Sequence, residues 1–366
     1  MEVIINILLV LFAFFFIILF HEFGHYLGCK LVKVKVEEFS IGLGKELWSK
    51  KIGETKYSIR LFPVGGYVLP EGEEYKKDQP LSDTNFYSKP LWARLIVIIL
   101  GPIFNYILAI LIFFIMFSLY DYKVTTEIYM VAPNTPAQKI GLKKGDVILR
   151  INDKTFNYYE GEKLVEYIHK SKNKELEIEI KRNQETKVYK VVPLYNKEQG
   201  FSFIGFNPAI KPVLDFNILR GIKESIYKTY DLTVKYLKII VSIFTGGIPL
   251  KMVYEQSAGP IGITKIMYDF ANTGIFNYLM LVAFINVVIG LFNLLPFPAL
   301  DGGRIFFILI NYLLLGISLV IKRKLVIEPD KEELFHKAGL IILLIFVVFV
   351  SFNDVQRIIK GESFIK

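Results

Sequence analysis

The first apolar run of this chain ends in ionisable residues. Residues 3–20 carry no charge, and they lead directly into His21-Glu22-Phe23-Gly24-His25. An uncharged run of this length is long enough for a membrane-spanning helix. Ionisable groups at membrane depth cost free energy, so they are rare there and mark functional sites. The run therefore predicts a spanning helix that carries a site in its last turns.

The spacing of the two histidines indicates a metal. On a helix, His21 and His25 lie four residues apart, so both imidazoles project from one face and can bind the same Zn²⁺. Glu22 does not share that face, and its carboxylate is placed to take a proton from a metal-activated water molecule. The motif therefore indicates a zinc-dependent hydrolase.

A hydrolytic zinc site takes three protein ligands, so the third must come from elsewhere in the chain. A histidine six residues after His25 would complete one known pattern, but Leu31 stands there. Asp301 is favoured because it follows Pro296 and Pro298 in an apolar region, where an open helix is tolerated only inside protein or beside a cavity. Four glutamates of a polar, strand-like segment remain candidates: Glu37, Glu38, Glu46 and Glu54.

Other polar residues in apolar surroundings have weaker claims. Asn293 lies shortly before the proline break, where its amide could donate a hydrogen bond to a scissile carbonyl or its oxyanion. Asn105 is expected to connect helices rather than to act in catalysis. We expect His169 and His336 at the surface and Cys29 as an ordinary buried thiol.

Composition agrees with a membrane protein. Of the 366 residues, 53% are hydrophobic, and they cluster into long runs. The first run has no basic start and no Ala-x-Ala cleavage site, so we expect it to be retained. The sequence predicts about four transmembrane helices, the third broken at the prolines: residues 1–29, 91–120, 277–321 and 338–359. If residues 305–321 cross the membrane independently, there are five.

Basic residues beside the apolar runs predict orientation. Three lysines follow the first run within residues 30–35, and three basic residues open a predicted cytoplasmic loop at 322–337. Both termini and residues 121–276 are then extracytoplasmic. The net charge of +9 suits an anionic lipid surface. Because the lysines form no Arg-rich, aromatic-interleaved patch, no nucleic-acid partner is expected.

The segments between the spans differ in pattern. Residues 30–90 contain a strand-like, glycine-punctuated part and a polar linker at 71–83, which predicts a β segment associated with the membrane on its cytoplasmic side. Residues 121–196 predict a compact α+β domain. Residues 197–276 predict an amphipathic helical region, with one long helix from Ile218 to about Phe244.

With these motifs the chain resembles the site-2 protease family of intramembrane zinc metalloproteases, in particular the bacterial regulator-of-sigma-E type. The resemblance rests on His21 to His25 and on Asn293-Leu294-Leu295-Pro296-Phe297-Pro298-Ala299-Leu300-Asp301-Gly302. Pro63-Val64-Gly65-Gly66-Tyr67-Val68 and Gly101-Pro102-Ile103-Phe104-Asn105 add to it. It covers nearly the whole chain.

The resemblance implies cleavage of single-span membrane proteins inside the lipid bilayer of the bacterial inner membrane. Typical substrates of the family are anti-sigma factors and remnant signal peptides. Carried over to this sequence, the resemblance implies Zn²⁺ ligands at His21, His25 and Asp301, a catalytic base at Glu22 and a substrate-positioning amide at Asn293.

Two further features follow from the resemblance. Residues 65–68 match the strand edge that pairs with an unwound substrate. The compact domain at 121–196 resembles a PDZ domain, placed outside the cytoplasm. Some members carry two such domains in tandem, whereas residues 126–195 have room for one, so access to the site is expected to be gated differently.

The predicted fold class is therefore a polytopic α-helical membrane protein with a membrane-associated β segment and one extracytoplasmic PDZ domain. Two alternatives to intramembrane proteolysis remain. One is a membrane-tethered zinc peptidase that acts on soluble peptides, and the other is a non-enzymatic PDZ scaffold with an inactive metal site.

Overall fold

The computed structural model describes residues 2–73, 82–172, 174–196, 200–323, 325–362 and 364. The chain forms two compact units. Unit 1 comprises Met1–Ile115 and Lys223–Lys366, and unit 2 comprises Met116–Ile222.

The described helices are α1 (Glu2–Leu31), α2 (Leu91–Leu119), α3 (Pro136–Lys139), α4 (Gly161–His169), α5 (Ile218–Phe244), α6 (Leu250–Gln256), α7 (Pro260–Ala271), α8 (Ile275–Phe292), α9 (Asp301–Ile321) and α10 (Pro329–Ile359). The described strands are β1 (Val36–Ile52), β2 (Thr55–Pro70), β3 (Tyr120–Val131), β4 (Val147–Ile151), β5 (Lys154–Thr155), β6 (Leu176–Arg182), β7 (Glu185–Val191), β8 (Leu194–Asn196), β9 (Phe201–Phe203) and β10 (Phe206–Leu214).

Apolar helices dominate unit 1. Five of the described helices, α1, α2, α8, α9 and α10, are long and apolar enough to cross a membrane. They indicate a multi-pass membrane protein. The break predicted in the third region lies at residues 293–300, between α8 and α9. At a rise of about 1.5 Å per residue, each of these two helices is about as long as the hydrocarbon layer is thick.

Glycines allow α1 and α2 to pack closely. A Cβ atom on Gly24 would lie 2.3 Å from the carbonyl oxygen of Leu100, and one on Gly28 would lie 2.8 Å from the Cα atom of Val97. Small residues let helix backbones approach in this way. Gly101 serves the histidine motif directly, because a Cβ atom there would lie 2.3 Å from Nε2 of His25. The sequence of α2 therefore leaves room for one histidine of α1.

The sheet expected from residues 34–70 is present as a long, irregular antiparallel pair, β1 and β2. Residues 38–41 of β1 pair on one side with residues 66–69 of β2 and on the other with residues 56–59. The segment at 66–69 also contacts α1, since the N–H of Val68 donates a hydrogen bond to Glu22. Of the predicted polar linker at 71–83, residues 74–81 lie outside the described residues.

Unit 2 is a sheet covered by a short amphipathic helix. The strand order is β10-β3-β4-β6-β7, with β5 paired to β4, and β8 and β9 form a separate pair. Leu164 and Ile168 of α4 are buried in its core, together with Ile148, Ile151 and Ile178 of the sheet. The alternating pattern of the strands is therefore explained by one buried face.

One predicted boundary of this domain is wrong. Residues 197–276 were expected to be helical, but strands β9 and β10 lie at their start, and β10 pairs with β3. Pro208 and Pro212 of β10 have no N–H to donate, which is tolerated because β10 is an edge strand of the sheet. The helical part begins at α5, which covers the residues predicted for the long helix.

Candidate active site

Three side chains from distant parts of unit 1 converge. Nε2 of His21 lies 3.2 Å from Nε2 of His25, and Oδ2 of Asp301 lies 3.2 Å from the first and 3.3 Å from the second. The histidines lie one turn apart near the end of α1, and Asp301 is the first residue of α9. The structure thus brings together the three residues that the sequence analysis favoured as metal ligands.

The triangle fits a tetrahedral metal site. Ligand atoms about 2.0–2.1 Å from a tetrahedral Zn²⁺ lie about 3.3–3.4 Å from each other. The three separations between His21, His25 and Asp301 are 3.2, 3.2 and 3.3 Å. Two imidazoles and one carboxylate are also a donor set that zinc accepts in hydrolytic sites. The residues present therefore suit the metal that the motif implies.

The break before α9 positions the carboxylate. Ala299 adopts a left-handed conformation with φ of 72°, and α9 begins two residues later. A Cβ atom on Gly302 would lie 1.9 Å from the carbonyl oxygen of Leu295, and one on Gly303 would lie 2.5 Å from that of Phe297. The break thus folds back against the first turn of α9, as expected for glycines that allow a close approach.

Glu22 lies beside the triangle and not within it. Its Oε2 atom accepts a hydrogen bond of 3.1 Å from the N–H of Val68, on the segment of β2 that pairs with β1. Glu22 and Val68 line a cavity of about 350 Å³, together with the three clustered residues. The cavity therefore joins a carboxylate, a candidate metal site and a strand.

Asn293 reaches the same cavity. It caps the C-terminal end of α8 with helical backbone angles and lines the cavity with Ala299 and Leu300 from the break. The amide is thus placed within the site that the sequence analysis predicted for it.

The profile of peptidase family M50 matches residues 9–346. The chain belongs to this family. It is 35% identical to a Clostridium acetobutylicum protein named "Putative zinc metalloprotease", over 96% of this chain and 97% of the relative. It is 28% identical to the regulator of sigma-W protease RasP of Bacillus subtilis, over 93% of this chain and 96% of the relative. Membership confirms the expectation of a metalloprotease, and the names agree with zinc as its metal.

One solved structure covers about a quarter of this M50 peptidase. A PDZ domain of an SdrC-like protein from Listeria monocytogenes is 21% identical and covers 24% of this chain and 90% of its own, with a TM-score of 0.21. A score this low carries no weight for the fold.

His336 is a residue of the M50 peptidase that the sequence analysis placed wrongly at the surface. Its Nδ1 accepts the N–H of Ala299 at 3.2 Å, and its Nε2 is buried and has no hydrogen-bond partner within the described ranges. The ring reaches the break because α10 packs against it: a Cβ atom on Gly339 would lie 1.9 Å from Cβ of Pro298. His336 and Gly339 lie one turn apart, but only the packed structure shows what that face covers.

His169 of unit 2 is also not a simple surface residue. Its ring stacks on that of Phe201 with centroids 4.4 Å apart, and it lines a cavity of about 760 Å³ between α4 and β9. The stacking partner follows at a distance in sequence, so no local pattern predicted it. Cys29, in contrast, is a buried free thiol as expected.

The sequence analysis also missed an ion pair in the active-site cavity. Arg304, one turn after Asp301 on α9, lies 2.7 Å from Glu73, and both residues line the cavity. Arginine on an apolar helix is an available signal, but its partner lies in the predicted polar linker and cannot be deduced from spacing.

The glutamates of the β segment do not join the described metal cluster. Glu38 instead accepts hydrogen bonds from Ser58 at 2.6 Å and Arg60 at 2.7 Å. Burial acts to raise the pKa of Glu38, but the bonds from Ser58, Arg60 and Tyr67 outweigh it and lower that pKa below its ordinary value. Glu46 forms an ion pair of 2.5 Å with Lys56. These two carboxylates stabilise the β segment.

Proposed function

We propose that this M50 peptidase cleaves single-span membrane proteins within their transmembrane segments, using a zinc ion held by His21, His25 and Asp301. The observation that carries the proposal is the triangle of three ligand atoms, 3.2–3.3 Å apart, formed between two helices that are apolar enough to span a membrane. A site of this kind brings water to a peptide bond that lipid would otherwise shield.

The proposal gives each residue of the site a catalytic role. Zinc, when bound, supplies a Lewis acid that lowers the pKa of a water molecule to about 7. Glu22 accepts the proton of the attacking water and delivers it to the leaving amide nitrogen as the C–N bond breaks. Because Oε2 of Glu22 is held by the N–H of Val68, Oε1 remains for this transfer. Asn293 donates a hydrogen bond to the carbonyl oxygen on which charge develops.

The substrate is proposed to bind as an extended strand. A transmembrane helix shields its peptide bonds with its own hydrogen bonds, so a short stretch must unwind before attack. Residues 66–69 of β2 pair with β1 on one side and line the cavity on the other through Tyr67 and Val68. Addition of a substrate strand to this edge would place one of its bonds beside Glu22.

We propose that α8 and α9 form one broken crossing, which gives four crossings in total, although each of the two helices alone is long enough to span a membrane. Contacts of α10 support this proposal. The side chain of Asp354 accepts hydrogen bonds from Gly259 and Gly262, at the start of α7, at 3.1 and 2.8 Å. His336, earlier on α10, contacts Ala299 at the break. Thus α10 begins beside the break that follows α8 and ends beside the start of α7.

The chain after α9 turns back along that helix, since the N–H of Ile327 donates to Oδ1 of Asn311 at 2.8 Å. In this proposal α8 and α9 together cross from the outer side to the cytoplasmic side, and α10 crosses back to the outer side. With basic residues after α1 and α9 in the cytoplasm, both termini lie outside. The side chain of Asn6 donates to Asn272 at 2.7 Å, so the start of α1 lies beside the segment that leads into α8, and we propose that both are on the outer side.

For unit 2 we propose an extracytoplasmic PDZ domain that extends through β10. The supporting features are its antiparallel sheet, the covering helix α4 and the apolar cavity beside that helix. The name of the Bacillus subtilis relative, a regulator of sigma-W protease, supports membrane-anchored regulators of sigma factors as substrates in a bacterial cell membrane. Remnant signal peptides, which also have one membrane-spanning segment, are a second proposed class of substrate.

Removing the metal tests the proposal. The purified chain in lipid vesicles is expected to cleave a co-reconstituted single-span protein, to lose that activity after treatment with a zinc chelator and to regain it when about one equivalent of Zn²⁺ is added back. Product formation is measured by gel and mass spectrometry. Cleavage that continues unchanged in zinc-free protein would refute the proposed role of the metal.

A further inference from the structure

We propose that Asn105 of α2 is a positioning residue for the zinc ligand His21. Its amide oxygen accepts a hydrogen bond from Nδ1–H of His21 and so keeps Nε2 of that ring free to bind the metal. This inference rests on the proposed zinc site and adds a residue from a third helix to it.

The position of Asn105 singles it out. Its side chain is fully buried, and its carboxamide lies against Nδ1 of His21 at 3.3 Å. The contacting atom is Nδ2, and Oδ1 is buried with no hydrogen-bond partner among the residues that the structure describes. A buried carbonyl oxygen that accepts no hydrogen bond destabilises the folded protein. The amide of Asn105 is therefore buried next to a metal ligand, and its oxygen is available to accept a hydrogen bond.

The zinc site selects one orientation of this amide. If Nδ2 donated to Nδ1 of His21, the neutral ring would carry its proton on Nε2 and could not bind a metal through that atom. Rotation of the carboxamide by 180° about the Cβ–Cγ bond exchanges two atoms of nearly the same shape. Oδ1 then accepts from Nδ1–H, and Nε2 of His21 presents its lone pair to the zinc.

His25 already has the corresponding arrangement. Its Nδ1 lies 2.9 Å from the carbonyl oxygen of Val97, and because a carbonyl can only accept, Nδ1 carries the proton. Nε2 of His25 is therefore free for the metal. Val97 and Asn105 both belong to α2, so one helix orients both histidines of α1. Metal-binding histidines commonly donate their second N–H to such a partner, which raises metal affinity about 10–100-fold.

The competing explanation is that Asn105 only connects α1 and α2. Asn286 of α8 separates the two explanations. It is equally buried, and its Oδ1 likewise has no partner in the described part of the chain, while its Nδ2 donates to Val282 of its own helix at 2.9 Å. Replacing Asn286 therefore removes a buried amide of the same kind without touching a metal ligand.

The test measures zinc affinity of the purified full-length chain by competition with a chromophoric chelator. Asn105→Leu is expected to weaken zinc binding about 10–100-fold. Asn105→Asp, whose carboxylate also accepts from Nδ1–H, is expected to bind zinc at least as tightly as the unchanged protein. Asn286→Leu is expected to leave zinc affinity unchanged. If Asn105→Leu does not fold, Asn105→Ala removes the amide without adding volume.

Unchanged affinity in the Asn105→Leu or Asn105→Ala protein would overturn the inference, as would an Asn105→Asp protein that binds zinc as weakly as these two. These outcomes leave the proposed function intact as long as the unchanged chain binds one zinc ion. Failure of the unchanged chain to bind zinc at all would instead remove the proposed site itself.

Discussion

Glu22→Gln is expected to abolish cleavage of a single-span substrate while zinc stays bound. Glutamine has the size of glutamate, and its amide oxygen can still accept the N–H of Val68, which Glu22 does at 3.1 Å. It cannot accept a proton from water, so the loss should reach at least the roughly 10²–10⁴-fold contribution of general acid–base catalysis. The measurement is the initial rate of product formation in vesicles, with zinc content determined on the same sample.

Glu54→Gln is the matched control, because Glu54 is an exposed acid in the turn between β1 and β2. That variant should cleave at the unchanged rate. A zinc-loaded Glu22→Gln protein that also cleaves at the unchanged rate would rule out Glu22 as the base and would leave a role in shaping the cavity.

Asp301→Ala is expected to lose zinc. Asp301 supplies one of the three ligand atoms that the described residues bring together, and its Oδ2 lies 3.2 and 3.3 Å from the two imidazole nitrogens. Removing a ligand should weaken binding by more than the about 10–100-fold typical of an outer partner. Zinc content after dialysis against a weak chelator, and cleavage of the single-span substrate, should fall together.

Asp330→Ala provides the comparison, since Asp330 is an exposed acid in the first turn of α10. Its zinc content and activity should match those of the unchanged protein. Equimolar zinc in the Asp301→Ala protein after the same dialysis would exclude Asp301 as a ligand and would require a different third ligand.

The sequence predicted the clustered residues because their chemistry is local. The four-residue spacing of His21 and His25 fixes both rings on one face of any helix, and Pro296 and Pro298 open the helix before Asp301. Glycine at position 101 was part of a recognised motif, but its function of leaving space for His25 appears only once α1 and α2 are packed.

Contacts between segments that are distant in sequence could not be predicted from local sequence patterns. His336 looks like a polar residue at the start of an apolar helix, yet it bonds to the break because α10 packs there. The edge strand β10 was missed because its two prolines and short alternation resemble a linker until β3 supplies its hydrogen bonds. Likewise the orientation of His21 by Asn105 depends on how closely α2 approaches α1.

Mapping the ends of the cleavage products tests the central claim most directly. Purified protein and a single-span substrate are reconstituted together in lipid vesicles, and the new termini are identified by mass spectrometry, with a soluble peptide that carries the substrate's flanking residues as comparison. The account predicts termini within the apolar segment of the substrate and no cleavage of the soluble peptide. Termini confined to the polar flanks, together with equal cleavage of the soluble peptide, would contradict it and favour a membrane-tethered peptidase.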